Sequence, residues 1–180
     1  MHCIVLNMRN FMKNFSGLKR AWLFIVLIIV FANVEAGGLQ DFNGKPGTFE
    51  NYAGKGKWLV VMLWASDCQV CNQEVHQYTA FHQKHADKDA VILGVSLDGA
   101  EKISDAKDFV SRHKVNFPNL IGEPEVVAGL YQNLTGSEWI GTPTFMVYTP
   151  KGELIGAQVG AIPPATIESF IERESQAANN

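Results

Sequence analysis

The tightest constraint in this 180-residue chain is the placing of two cysteines, Cys68 and Cys71, directly after the apolar run KWLVVMLW at residues 57–64. A continuous apolar run with two valines suits a central strand buried on both faces. Ser66 and Asp67 follow it and can cap a helix. Residues 71–86 then read as that helix, with Val75, Tyr78, Thr79 and Phe81 on its apolar side. A strand that feeds a helix through Cys-x-x-Cys sets the first sulfur at the helix N-terminus. The unpaired amides there favour a thiolate. The second cysteine sits about one turn further on, within reach for a disulfide. A bridge across two residues closes too short a loop to stabilise a fold by much, so the pair reads as redox or metal chemistry.

The remaining pattern sets the architecture. Residues 38–49 carry Asn43-Gly44 and Pro46-Gly47 turn signals and read as short strands or a hairpin. AVILGVSL at 90–97 is a second buried strand. Ile103, Ala106, Phe109 and Val110 mark a helix over 103–114. Residues 117–121 are short and extended around Pro118. Pro124 starts a helix over 123–133. TFMVYT at 144–149, a Pro150-Lys151-Gly152 turn and residues 153–159 form an antiparallel hairpin. Pro163-Pro164 opens a last helix with Ile167, Phe170 and Ile171 inward, and the polar tail at 175–180 is expected to fray. The order β-α-β-α-β-α-β-β-α predicts an α/β domain, a central mixed sheet with helices on both faces.

The first 36 residues read as a leader. Arg9, Lys13, Lys19 and Arg20 precede a 12-residue apolar run at 21–32, and Val34-Glu35-Ala36 offers small residues at a signal-peptidase spacing. The run is short of the roughly 18 residues of a spanning helix. A cleaved signal peptide is the expectation, with an uncleaved N-terminal membrane anchor as its rival. The domain is then 37–180, with 11 Lys and Arg against 17 Asp and Glu, a formal charge of −6. That balance argues against nucleic acid, whose phosphates call for clustered bases. Cys3 leaves with the leader, so Cys68 and Cys71 are the domain's two cysteines.

The segment LVVMLWASDCQVCNQE resembles the active-site segment of the TlpA-like thioredoxins, the exported disulfide reductases that include cytochrome c maturation factors. Ile140-Gly141-Thr142-Pro143-Thr144 is similar to their Gly-Thr-Pro-Thr loop, and GLQDFNGKPGTFENYAGKGKW to their N-terminal strands. The likeness covers nearly all of residues 38–175. It implies a thioredoxin-like fold and a cis proline at Pro143 beside the disulfide. It also implies a periplasmic thiol:disulfide oxidoreductase in which Cys68 attacks a client disulfide and Cys71 resolves the mixed disulfide. Thr142 and Pro143 then form the client-side wall. Trp139, four residues earlier, either lines an apolar client groove or merely packs, and Trp64 packs or shields the disulfide.

Two positions depart from the family. Asp67 stands where an aromatic residue usually precedes the first cysteine. It can cap the helix, oppose the Cys68 thiolate or carry a proton. Met62 stands where thioredoxin has a buried Asp, while Glu74 fills the place of the acid that TlpA-like chains carry three residues after the second cysteine. At about 100° per residue Glu74 lies roughly 60° from Cys71 around the helix. It can accept the Cys71 proton or be a solvated surface acid. Gln69-Val70 holds no histidine to stabilise the thiolate, which leans the couple toward reduction.

The partners expected are a disulfide-bearing client and a dithiol donor in the same compartment, membrane-bound or not. The protein is expected to be a monomer without cofactor or resident metal. The alternative is a copper-binding thioredoxin-fold chaperone using the cysteines with one of His76, His82, His85 or His113. Those chaperones generally separate their cysteines by three residues. Peroxide reduction would call for a Thr or Ser three residues before the reactive cysteine, where Ala65 stands. Isomerase action stays open, although no dimerisation segment is visible.

Overall fold

The computed structural model describes residues 38–178; the leader read at 1–36 lies outside the described residues. The chain runs β1 (Gln40–Asp41), a 3-10 turn (Phe49–Asn51), β2 (Trp58–Trp64), α1 (Gln69–His85), β3 (Ala90–Ser96), α2 (Ile103–Arg112), β4 (Asn119–Ile121), α3 (Pro124–Thr135), β5 (Thr144–Tyr148), β6 (Leu154–Val159) and α4 (Pro164–Ala178). One six-stranded sheet takes the order β1-β4-β3-β2-β5-β6. β2, β3 and β4 are parallel neighbours. β5 runs antiparallel to β2, and β6 to β5. This is the mixed sheet expected from the order of elements, and it agrees with the thioredoxin-like fold that the resemblance implies.

All seven residues of β2 are buried, because both faces of the sheet are covered. Trp58, Val60, Met62 and Trp64 point into one core with Cys71, Val75, Tyr78, Phe81, Phe109, Ile167 and Ile171, side chains of α1, α2 and α4. Leu59, Val61 and Leu63 point the other way, into a core with Val127 and Tyr131 of α3 and Phe49. The period-2 alternation of a strand thus sorts one apolar run onto two faces. Gly94 in β3 is a matter of space. A Cβ there would come within 1.9 Å of Asn119 Oδ1 and 2.9 Å of Trp64 Nε1. These two atoms hydrogen-bond to each other at 3.0 Å, so the glycine makes room for the bond that ties the end of β2 to β4.

The 38–49 region forms a short strand, as expected, which pairs with β4 and folds back in a turn closed by a Gln40–Pro46 bridge. Two local expectations need correction. Helix α1 begins at Gln69, two residues before the expected start, and its cap is Cys68 itself, not Ser66 or Asp67. The polar tail is helical through Ala178. Ser175 there donates to Ile171 O at 2.7 Å and accepts from Trp58 Nε1 at 3.1 Å, so a partner in β2 holds the last turn.

Candidate active site

Three chain segments meet at the carboxyl ends of the parallel strands, where open α/β sheets place their sites. The turn after β2 carries residues 65–68, β3 ends at Ser96 with Leu97 and Asp98 directly after it, and β5 starts just after Pro143. The β2–β5 register pairs Leu63 with Thr144. Continuing it sets Pro143 across from Trp64, at the end of β2 from which the Cys68 turn departs. The Thr142–Pro143 peptide is cis, in agreement with the family expectation. Pro143 is buried, and Thr142 is half-buried.

Cys68 and Cys71 form a disulfide with their Cα atoms 5.2 Å apart. The two sulfurs differ in surroundings. Cys71 is 0% exposed, inside the core with Met62 and Tyr78. Cys68 is half-buried at the N-cap, and its Sγ accepts the Cys71 N–H at 3.1 Å. The atom that caps the helix is therefore the outer sulfur. A helix N-terminus donating to sulfur favours its anionic form.

The turn that presents this sulfur is held from both sides. Ser66 donates to Asp98 through its hydroxyl (2.6 Å) and its N–H (3.1 Å to either oxygen). Asn72 Nδ2 donates to Ser66 O and Cys68 O, each at 2.9 Å. With Nδ2 a donor, Asn72 Oδ1 is the acceptor of its 2.9 Å bond with His113, so His113 Nε2 carries the proton. Burial, and then the charges of Arg112 and His76, hold the His113 pKa below its ordinary value. Sequence reasoning missed Asp98 and Asn72. Asp98 had one signal, an acid directly after the buried strand at 90–97. Asn72 had none, because its partners are set by the turn.

Of the other expected site residues, Asp67 is exposed, and its carboxylate lies 3.7 Å from Lys102 Nζ. Ser66, the other expected cap, is engaged by Asp98. Glu74 is half-buried on α1 and accepts a hydrogen bond from Gln77. Burial, and to a lesser degree the Glu74 charge, push the Tyr78 pKa up to about 12. Tyr78 thus stays a phenol and donates to Ile162 O at 2.9 Å. Trp64 is buried and stacks on Phe109 at 4.2 Å. Trp139 packs half-buried against the core on the α3 face, and its Nε1 is buried without a hydrogen-bond partner among the described residues. Beside it Ile140 is 75% exposed, and Val70 between the cysteines is 41% exposed.

Of the four candidate histidines, His76 is exposed on α1, and His82, His85 and His113 are engaged in other bonds. His82 Nδ1 accepts the N–H of Ile92 at 3.0 Å, on the edge of β3 that short β4 leaves uncovered. His85 lies between Asp89 (2.8 Å) and Glu168 (3.0 Å). Ala65, the position where peroxide chemistry would use a hydroxyl, offers its carbonyl to Cys68 N–H at 3.2 Å.

Comparison with known proteins agrees with this geometry. The model of the AhpC/TSA family matches residues 33–157. The thiol-disulfide oxidoreductase ResA of Oceanobacillus iheyensis is 27% identical over 118 residues, which cover 65% of this chain and 57% of that protein. The chain thus spans a little over half the length of that relative. Among solved structures, a thiol:disulfide interchange protein of the thioredoxin family from Chlorobium tepidum superposes with a TM-score of 0.61 at 21% identity, covering 74% of this chain and 88% of that one. A secreted Mycobacterium tuberculosis disulfide oxidoreductase, homologous to E. coli DsbE, superposes with a TM-score of 0.57 at 18% identity, covering 74% and 92%. These likenesses establish the thioredoxin-like fold.

Proposed function

The chain belongs to the AhpC/TSA family, and on that premise we propose that it is an exported thiol:disulfide oxidoreductase that reduces client disulfides. The observation that carries the reading is the asymmetry of the dithiol. An outward sulfur caps a helix, and its partner is fully buried behind it. The TlpA-like resemblance supports the reductive direction, as does a Cys-x-x-Cys whose two inner residues lack a histidine.

In the proposed cycle the reduced protein presents Cys68 as thiolate. Its Sγ attacks one sulfur of the client disulfide, the client S–S bond breaks, and the other client sulfur leaves as a thiolate. Cys71 gives its proton to Glu74 and attacks Cys68 Sγ, which releases the second client thiolate. The client has gained two electrons, and the protein is left as the Cys68–Cys71 disulfide. A dithiol donor in the same compartment restores it. Thr142 and Pro143 flank the mixed disulfide, Trp139 lines the client side, and Asp67, screened by solvent, opposes the Cys68 thiolate only weakly. The leader pattern at 1–36 supports a periplasmic location, with the domain free after cleavage or held by an N-terminal anchor. Disulfides of apocytochromes are the client class that the resemblance brings.

Trapping tests the proposal. The variant Cys71→Ala cannot resolve the mixed disulfide. Purified without reductant from its own compartment, it should carry a client covalently linked to Cys68. Recovery with no linked client, from cells in which Cys71→Ala is folded and exported, contradicts the reading.

A further inference from the structure

Two carboxylates flank the turn that carries Cys68, Asp67 next to it in sequence and Asp98 through its bonds to Ser66, and they are built differently. Asp67 is exposed beside an exposed Lys102, so solvent and salt screen it. Asp98 is only 9% exposed. The side-chain and turn donors it takes come from the serine two residues after β2 and the one that ends β3: Ser66 Oγ and N–H, and Ser96 Oγ at 2.6 Å. The Asp98 N–H in turn donates to Ser96 Oγ at 3.1 Å, which leaves that hydroxyl's proton for the carboxylate. Ser66 is thereby gripped at its N–H and hydroxyl by Asp98, and at its carbonyl by Asn72. It lies two residues before the reactive sulfur.

We infer that Asp98 is a positioning residue for the dithiol: through Ser66 it fixes the turn that presents Cys68, and its buried negative charge near the N-terminus of α1 holds the couple reducing. The inference rests on the reading of Cys68 and Cys71 as an exchanging pair. A carboxylate in a poorly screened place opposes a nearby thiolate more than an exposed one does. A less stabilised thiolate is a less stabilised reduced form, hence a more reducing couple. A residue that merely packs the turn acts alike on the oxidised and reduced proteins, and leaves their equilibrium unmoved. The redox equilibrium therefore separates the two roles.

The test uses the full chain after export, with Asp98→Asn and Ser66→Ala. Two quantities are read: the dithiol–disulfide equilibrium in a dithiothreitol redox buffer, and the titration of Cys68 by thiolate absorbance. Asp98→Asn keeps the size and loses the charge. It should move the equilibrium about tenfold toward the dithiol, which is about 30 mV, and lower the Cys68 midpoint. Ser66→Ala removes a donor and leaves the Asp98 charge less compensated. It should move both readings the opposite way, by about threefold in equilibrium. Equilibria within about twofold of the parent in both variants, whatever the change in thermal stability, overturn the inference. If Asp98→Asn does not fold, the sign of the Ser66→Ala shift decides alone, with no shift or a shift toward the dithiol counting against Asp98. A parent protein that exchanges no disulfide at all defeats the proposed function itself. Normal exchange with unmoved variants defeats only the role of Asp98.

Discussion

The two loops that flank the disulfide are built on opposite principles. Every polar group named in the Ser66–Cys68 turn has a partner, among them Asp98 just after β3, Asn72 on α1 and, through Asn72, His113 at the end of α2. The loop at 137–142, leading to Pro143, is anchored at its ends. Ser137 N–H bonds Thr135 Oγ1 at 3.1 Å, and Thr144 Oγ1 bonds Gly141 O at 2.5 Å. Between those anchors stand Trp139, whose buried indole N–H lacks a partner among the described residues, and the exposed Ile140. Under the proposed cycle, the difference would suit a division of labour in which the attacking sulfur is fixed and the client wall adapts. Fixing an attacking group removes an entropy cost from the reaction, while a wall of few polar bonds can receive different chains.

The comparison breaks first at Asn72. Asn72→Ala takes the donor from two carbonyls and the acceptor from His113, and should cost about 2–3 kcal/mol in urea unfolding. A loss under about 0.5 kcal/mol would mean that the turn is not held as described. Trp64→Phe keeps the stack on Phe109 but strips Asn119 Oδ1 of its donor, and should cost about 1–2 kcal/mol by the same measurement. Acidification comes next. Burial lowers the pKa of both His113 and His82 below the ordinary 6.5. The unfolded chain therefore binds more protons there, and stability that is present above 6.5 is lost as pH falls through the lower folded values. Unfolding free energy should decline between about pH 7 and pH 5, with a shallower slope in His113→Gln. An unchanged slope would remove His113 from the account. The smallest effect belongs to the other loop. Trp139→Phe deletes an unpaired buried N–H and should leave stability within about 0.5 kcal/mol or raise it. A loss of about 2 kcal/mol would show a partner for that N–H and erase the contrast between the loops.

Much of this was legible in the chain as written. WLVVMLW could be placed at the sheet centre, since a run with no polar position leaves neither face for solvent. The Thr-Pro step at 142–143 was legible as a motif, and its cis geometry came with the family likeness. The cap of α1 was not. Asp67 and Ser66 are better capping residues than cysteine by intrinsic preference. Ser66, though, is taken by Asp98, 32 positions away, and Asp67 turns to solvent. Local propensity cannot register a competitor that only the fold brings near. Gly94 was legible as an oddity in a buried strand, but its reason, the Trp64–Asn119 bond, joins residues 55 apart. The tail at 175–178 was misread for a similar cause: its polarity signals fraying, and the Trp58 indole that Ser175 meets is far off in sequence.

The central claim is that the dithiol is asymmetric, with Cys68 the attacking thiol and Cys71 the protected, resolving one. Alkylation of the reduced protein by limiting iodoacetamide near neutral pH, read by peptide mass spectrometry, tests it directly. The account predicts modification at Cys68 at least about tenfold faster than at Cys71, because rate follows thiolate fraction and access. Equal labelling, or labelling of Cys71 first, in a protein shown to be folded would contradict it.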